Sequence, residues 1–95
     1  MNLDDLRNKI DIIDEELLRL FAERMDIVSE VAAYKQANSL PVLDQGREAE
    51  KLQAISGKVK PHLEPLAHTL FTTLFELSRS HQSSIQENAA ENTNL

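Results

Sequence analysis

The chain has no cysteine and no tryptophan, and only one tyrosine and three phenylalanines among its 95 residues. Lack of cysteine excludes disulfides and thiolate metal sites. Glycine and proline are nearly as scarce, two and three residues, and all five fall between positions 41 and 65. Nothing in the first forty residues therefore interrupts a helix. No apolar run approaches the roughly 20 residues that a membrane-spanning helix needs. The N-terminal Met-Asn-Leu-Asp-Asp lacks the basic and apolar regions of a signal peptide. Basic residues are in deficit too, 10 against 16 acidic ones, for a net charge of −6. That balance argues against nucleic acid and anionic membranes as partners. The expected compartment is the cytoplasm.

What is present is helical pattern. Reading a and d positions from Leu3 gives Leu3, Leu6, Ile10, Ile13, Leu17, Leu20, Arg24, Ile27, Val31 and Tyr34. The 3-4 spacing never slips, which predicts one stripe on a single long helix. Arg24 alone in that seam is charged. Burying a guanidinium there costs several kcal/mol unless an anion meets it, in the range of about 3–5 kcal/mol for an unpaired buried charge. The seam holds no acidic residue, so an anionic ligand is the expected partner. A helix from Leu3 to about Asn38 is roughly 54 Å long, against roughly 30 Å for a compact globule of this size. One chain cannot cover it, and an interlocked dimer is expected.

The clustered punctuation, Pro41, Gly46, Gly57, Pro61 and Pro65, predicts a long, a short and a medium helix. Asn38-Ser39-Leu40-Pro41 ends the first, because a residue before proline is driven out of the α region. Asp44 is the expected N-cap of the second helix, with Leu52 and Ile55 as its apolar face and Gly57 near its end. Lys58 to Glu64 is a connection, and Pro65 suits the first turn of the third helix. The stripe through Phe71 and Leu74 continues to Ser78, Gln82 and Ile85, so a core face turns polar for about one turn. Residues 1–86 are expected to form the domain and 87–95 a flexible, polar tail. The fold class is all-α.

On one straight helix Lys35 lies some 20° from the direction of Arg24 and about 16 Å along the axis, so both could close on a small ligand. Arg7 points about 100° away and lies about 25 Å from Arg24, so only the Arg7 of a partner chain could reach that site. His62, His68 and His81 have no metal-ligand spacing and are expected on the surface; no metal or cofactor is expected.

The order and spacing of several motifs resemble the AroQ-type (all-α) chorismate mutases over roughly residues 3–86. Leu6-Arg7-Asn8-Lys9-Ile10-Asp11-Ile12-Ile13-Asp14 is similar to that family's opening L-R-x-x-I-x-x-[IL]-D. Leu20-Phe21-Ala22-Glu23-Arg24 and Val31-Ala32-Ala33-Tyr34-Lys35 follow on the same helix. Pro41-Val42-Leu43-Asp44-Gln45-Gly46-Arg47-Glu48 is like P-[VI]-x-D-x-x-R-E. Glu76-Leu77-Ser78-Arg79-Ser80-His81-Gln82 is like the E-x-S-x-x-x-Q of the last helix. The connection between helices 2 and 3 departs from the family, being slightly shorter and carrying Pro61 and Pro65.

The resemblance implies an intertwined homodimer that rearranges chorismate to prephenate in phenylalanine and tyrosine synthesis. It implies that Arg24, and Arg7 from the partner, bind the substrate carboxylates, with Ser78 and Arg47 assisting. Lys35 and Gln82 would hydrogen-bond the ether oxygen, Lys35 also touching a carboxylate. Glu48 and the Asp44 backbone region would hold the ring hydroxyl. An isochorismate pyruvate-lyase of the same fold and a non-catalytic helical dimerisation module are the alternatives.

Overall fold

The computed structural model describes residues 2–93 as three helices, with no strand among the described residues. Helix α1 spans Leu3–Ala37, α2 spans Gln45–Ile55 and α3 spans Glu64–Thr93, with a 3₁₀ turn at Pro61–Leu63 leading into α3. The all-α expectation and all three helices are borne out. Helix α3 runs on through 87–93, across most of the stretch set apart by composition as a tail.

Local chemistry accounts for each boundary. Asn2 opens α1 with a capping box: its side chain accepts the Asp5 N–H at 2.9 Å, and Asp5 accepts the Asn2 N–H at 3.4 Å. At the other end the Leu40 N–H donates to the Lys35 carbonyl at 2.8 Å, and the Ser39 N–H to the Gln36 carbonyl at 3.3 Å. These two bonds make a Schellman motif, and they place Ser39 in the left-handed region at φ 55°. The helix is thus stopped by a hydrogen-bonded cap as well as by Pro41.

Asp44 caps α2 as expected, accepting the Arg47 N–H at 3.0 Å. Beyond α2, Ile55 to Lys58 forms a type II turn closed by a 3.0 Å bond from the Lys58 N–H to the Ile55 carbonyl. Gly57 holds its third position at φ 85°, a conformation that disfavours any residue with a Cβ.

The chain doubles back so that the C-terminal part of α1 packs against α3, while α2 lies along α3 beside it. The small core comprises Val28, Ala32, Ile55 and Phe75, with Phe71 and Phe75 meeting edge to face at 6.3 Å. Ala32 has 0% exposure, leaving no room for a larger side chain between α1 and α3.

The seam is placed differently from the buried face. Val28 and Ala32, which meet α3, each follow a seam residue by one position, about 100° around the helix. Leu3, Leu6, Ile10, Ile13, Leu17, Leu20, Ile27, Val31 and Tyr34 are all exposed. Helix α1 therefore carries two apolar faces, one used within the chain and one left open. The molecule measures 60 × 28 × 14 Å, with a radius of gyration of 17.2 Å against about 12 Å for a compact chain of this length.

Candidate functional site

The concave side of the packing between α1, α2 and α3 encloses a cavity of about 330 Å³. Its floor is apolar, formed by Ile27, Val28, Val31, Val42 and Phe75. Its walls carry five cations, Arg24, Lys35, Arg47, Lys51 and Arg79, and one anion, Glu48. Ser78 and Gln82 complete it. A chain of net charge −6 thus concentrates positive charge in one hollow. An apolar floor beneath such a cluster focuses its field on an anion of small size.

Helix α1 contributes Arg24 and Lys35. The Arg24 Nη1 donates to Ser78 Oγ at 2.6 Å, and that hydroxyl donates to the Leu74 carbonyl at 2.7 Å. A hydroxyl has one proton, so Ser78 faces Arg24 as an acceptor. Lys35 Nζ donates to Gln82 Oε1 at 2.9 Å and to the Val42 carbonyl at 2.7 Å. An ammonium has no lone pair, so the Gln82 oxygen must be the end that faces it. The Gln82 NH₂ is then the end available to donate to a ligand. Ser78 and Gln82 are buried polar groups, each satisfied by a cation from α1.

Helix α2 brings Arg47, Glu48 and Lys51. Glu48 accepts from the Arg79 Nη1 at 2.5 Å through each of its two oxygens, joining α2 to α3. Arg47 lines the cavity but is exposed.

Six of the eight residues expected from the sequence therefore meet in one hollow: Arg24, Lys35, Arg47, Glu48, Ser78 and Gln82. Asp44 stands outside the lining as the exposed N-cap of α2. Arg7 is exposed on the distant N-terminal part of α1. Arg79 and Lys51 were not anticipated. Arg79 lies four residues after Phe75 and three before Gln82, and Lys51 lies four after Arg47, spacings that share a helix face.

His81 corrects its expected surface position. It is half-buried, with Nε2 2.8 Å from Ser29 Oγ on α1. The pair ties α3 to α1 beside the cavity, and the Ser29 hydroxyl also donates to the Met25 carbonyl at 3.1 Å.

Residues 6–83 match the chorismate mutase type II family. A T-protein of Haemophilus influenzae is 46% identical over 52 residues, covering 55% of this chain and 14% of that protein. A chorismate mutase of Methanocaldococcus jannaschii is 30% identical over 91 residues, covering 96% of this chain and 90% of that protein. A bifunctional chorismate mutase/prephenate dehydratase of Escherichia coli K12 is 39% identical over 72 residues, or 76% of this chain and 18% of that protein. The chain spans a small part of the first and third of these relatives and nearly all of the second.

Proposed function

Because the chain belongs to the chorismate mutase type II family, we propose that it catalyses the rearrangement of chorismate to prephenate in aromatic amino acid synthesis. The observation that carries this reading is the convergence of Arg24, Lys35 and Gln82 on one apolar-floored cavity. Chorismate is a dianion with a ring hydroxyl and an ether link to an enolpyruvyl group. In the rearrangement the ether C–O bond breaks as a C–C bond forms, and no proton, electron or leaving group is exchanged. The enzyme has two tasks: to hold the folded, reactive shape and to stabilise negative charge growing on the ether oxygen.

The side chains suit both tasks. Arg24, braced by Ser78, takes one carboxylate, with Arg47 at the mouth assisting. Lys35 and the Gln82 NH₂ converge on the ether oxygen as donors held in place before the substrate arrives. Glu48 accepts the ring hydroxyl, and Asp44, by capping α2, fixes the backbone from which Glu48 projects.

The working unit in this reading is a homodimer. The accessible surface is 7425 Å², roughly a third more than the ~5,500 Å² of a compact monomer of this mass. The open seam on α1 contributes to that excess, and a second copy offers the matching seam at the same heptad spacing. Antiparallel pairing would bring the partner's Arg7 to the Arg24 end of the cavity, adding a cation for the second carboxylate. No helix among the described residues is long and apolar enough to cross a membrane.

The test is incubation with chorismate, following loss of its ring-diene absorbance and converting prephenate to phenylpyruvate in acid. Rapid enzyme-dependent formation of prephenate is expected. A folded protein that leaves chorismate unchanged would refute the reading.

A further inference from the structure

Among the described residues Glu48 is the only acid lining the cavity, which it shares with five cations, and its ion-pair partner comes from another helix. An ion pair on an open surface is worth little, because water screens it and two long side chains must be ordered to form it. This one lies in the wall of the cavity, with side chains only 32% exposed for Arg79 and 24% for Glu48. One nitrogen of Arg79 meets both carboxylate oxygens. It sits between them, and each oxygen keeps lone-pair capacity for another donor. Without such a tether the carboxylate could turn to Arg47 or Lys51 on its own helix, or to Arg24 and Lys35 across the cavity. Either turn would cancel charge needed for a ligand's carboxylates and would leave a ligand hydroxyl without its acceptor.

We propose that Arg79 is a positioning residue for Glu48, and that the pair sets selection for a substrate bearing a ring hydroxyl. The inference rests on the mutase reading, in which Glu48 accepts that hydroxyl. Arg79 acts through the carboxylate it holds: it fixes the direction of the acceptor and keeps the acid out of the carboxylate clamp. Glu48 alone is flexible enough to serve poorly; Glu48 held from α3 presents an acceptor at a set place.

The experiment compares kcat/KM for chorismate with kcat/KM for an analogue lacking the ring hydroxyl, in the wild type, Arg79→Ala, Arg79→Lys and Glu48→Ala. Wild type should prefer chorismate by about 10- to 100-fold, the discrimination expected of one hydrogen bond to a charged acceptor. Arg79→Ala should lose most of that preference and fall to the discrimination of Glu48→Ala: both substrates lose some turnover through the weakened carboxylate clamp, and chorismate loses about 10-fold more than the analogue. Arg79→Lys, which keeps a cation on α3, should restore part of it. Retained discrimination in Arg79→Ala, or equal losses on both substrates, would overturn the positioning role. A wild type inert toward both substrates would instead overturn the mutase reading, and this inference with it.

Discussion

Arg24 is braced by a hydroxyl whose proton is already committed: its Nη1 lies 2.6 Å from Ser78 Oγ, which donates to Leu74 at 2.7 Å. Ser78 therefore aims the guanidinium and has no proton left for a carboxylate of its own. In the proposed site its contribution to binding would run through Arg24.

Ser78→Ala should accordingly raise KM for chorismate about tenfold, the loss of one hydrogen bond to a charged group, with a smaller effect on kcat. Arg24→Ala should be far more damaging. Steady-state kinetics on the two variants decide it, and an unchanged KM in Ser78→Ala would remove the bracing role.

Lys35→Ala should cut kcat by about 10²- to 10³-fold, as expected for loss of a donor to developing negative charge. The substitution also frees the Gln82 amide to flip, so its effect should exceed that of Gln82→Ala. Near-normal turnover would exclude Lys35 as a donor to the ether oxygen.

Gln82→Glu should make activity depend on acid. A carboxyl donates a hydrogen bond only while protonated, so turnover should rise as pH falls through the titration of the new group and vanish above it. A pH–rate profile identical to that of the wild type would rule out donation from this position.

Arg7→Ala and Arg24→Ala chains should each be nearly inactive alone. Mixed and allowed to reassort, they should recover about a quarter of wild-type sites, since each heterodimer has one intact centre. Confirmed heterodimers with no recovery would show that the two arginines do not share a site.

Ser39→Gly should stabilise the fold. Relief of a left-handed serine, partly offset by the entropy of glycine in the unfolded chain, amounts to about 0.5–1 kcal/mol. Thermal denaturation followed by helical circular dichroism should show a higher midpoint; a lower one would mean the Schellman cap carries no strain.

The helices were legible because glycine and proline are confined to one short stretch and because Asp44 is a strong N-cap. Helical spacing marks Arg24, Lys35, Ser78 and Gln82 only as candidates on their stripes; the resemblance to the chorismate mutases is what groups them, with Arg47 and Glu48, and all six line the one cavity. Arg79 was not legible, although it lies on the Phe75–Gln82 face, because a charged helix residue reads as solvated until the neighbouring helix is known. The same blindness hid the Ser29–His81 contact. It also merged the two faces of α1: the heptad identifies an apolar stripe, but it does not name what that stripe meets. Val28 and Ala32, one step round the helix, meet α3 instead. Spacing measures angles about one axis, and the relation between axes comes only from packing.

The Val42 carbonyl lets the α1–α2 loop hold the Lys35 ammonium in one orientation. A lysine ammonium ordinarily spins about its terminal bond, sampling three equivalent orientations. Here two of its N–H bonds are held, one by Gln82 and one by the loop, and the third is left with a single direction. The rotor is stopped within the folded chain itself, so its ordering entropy is lost during folding and would not count against the binding of a ligand. A change in the loop that withdrew the Val42 carbonyl would leave every charge in place and set that rotor turning again.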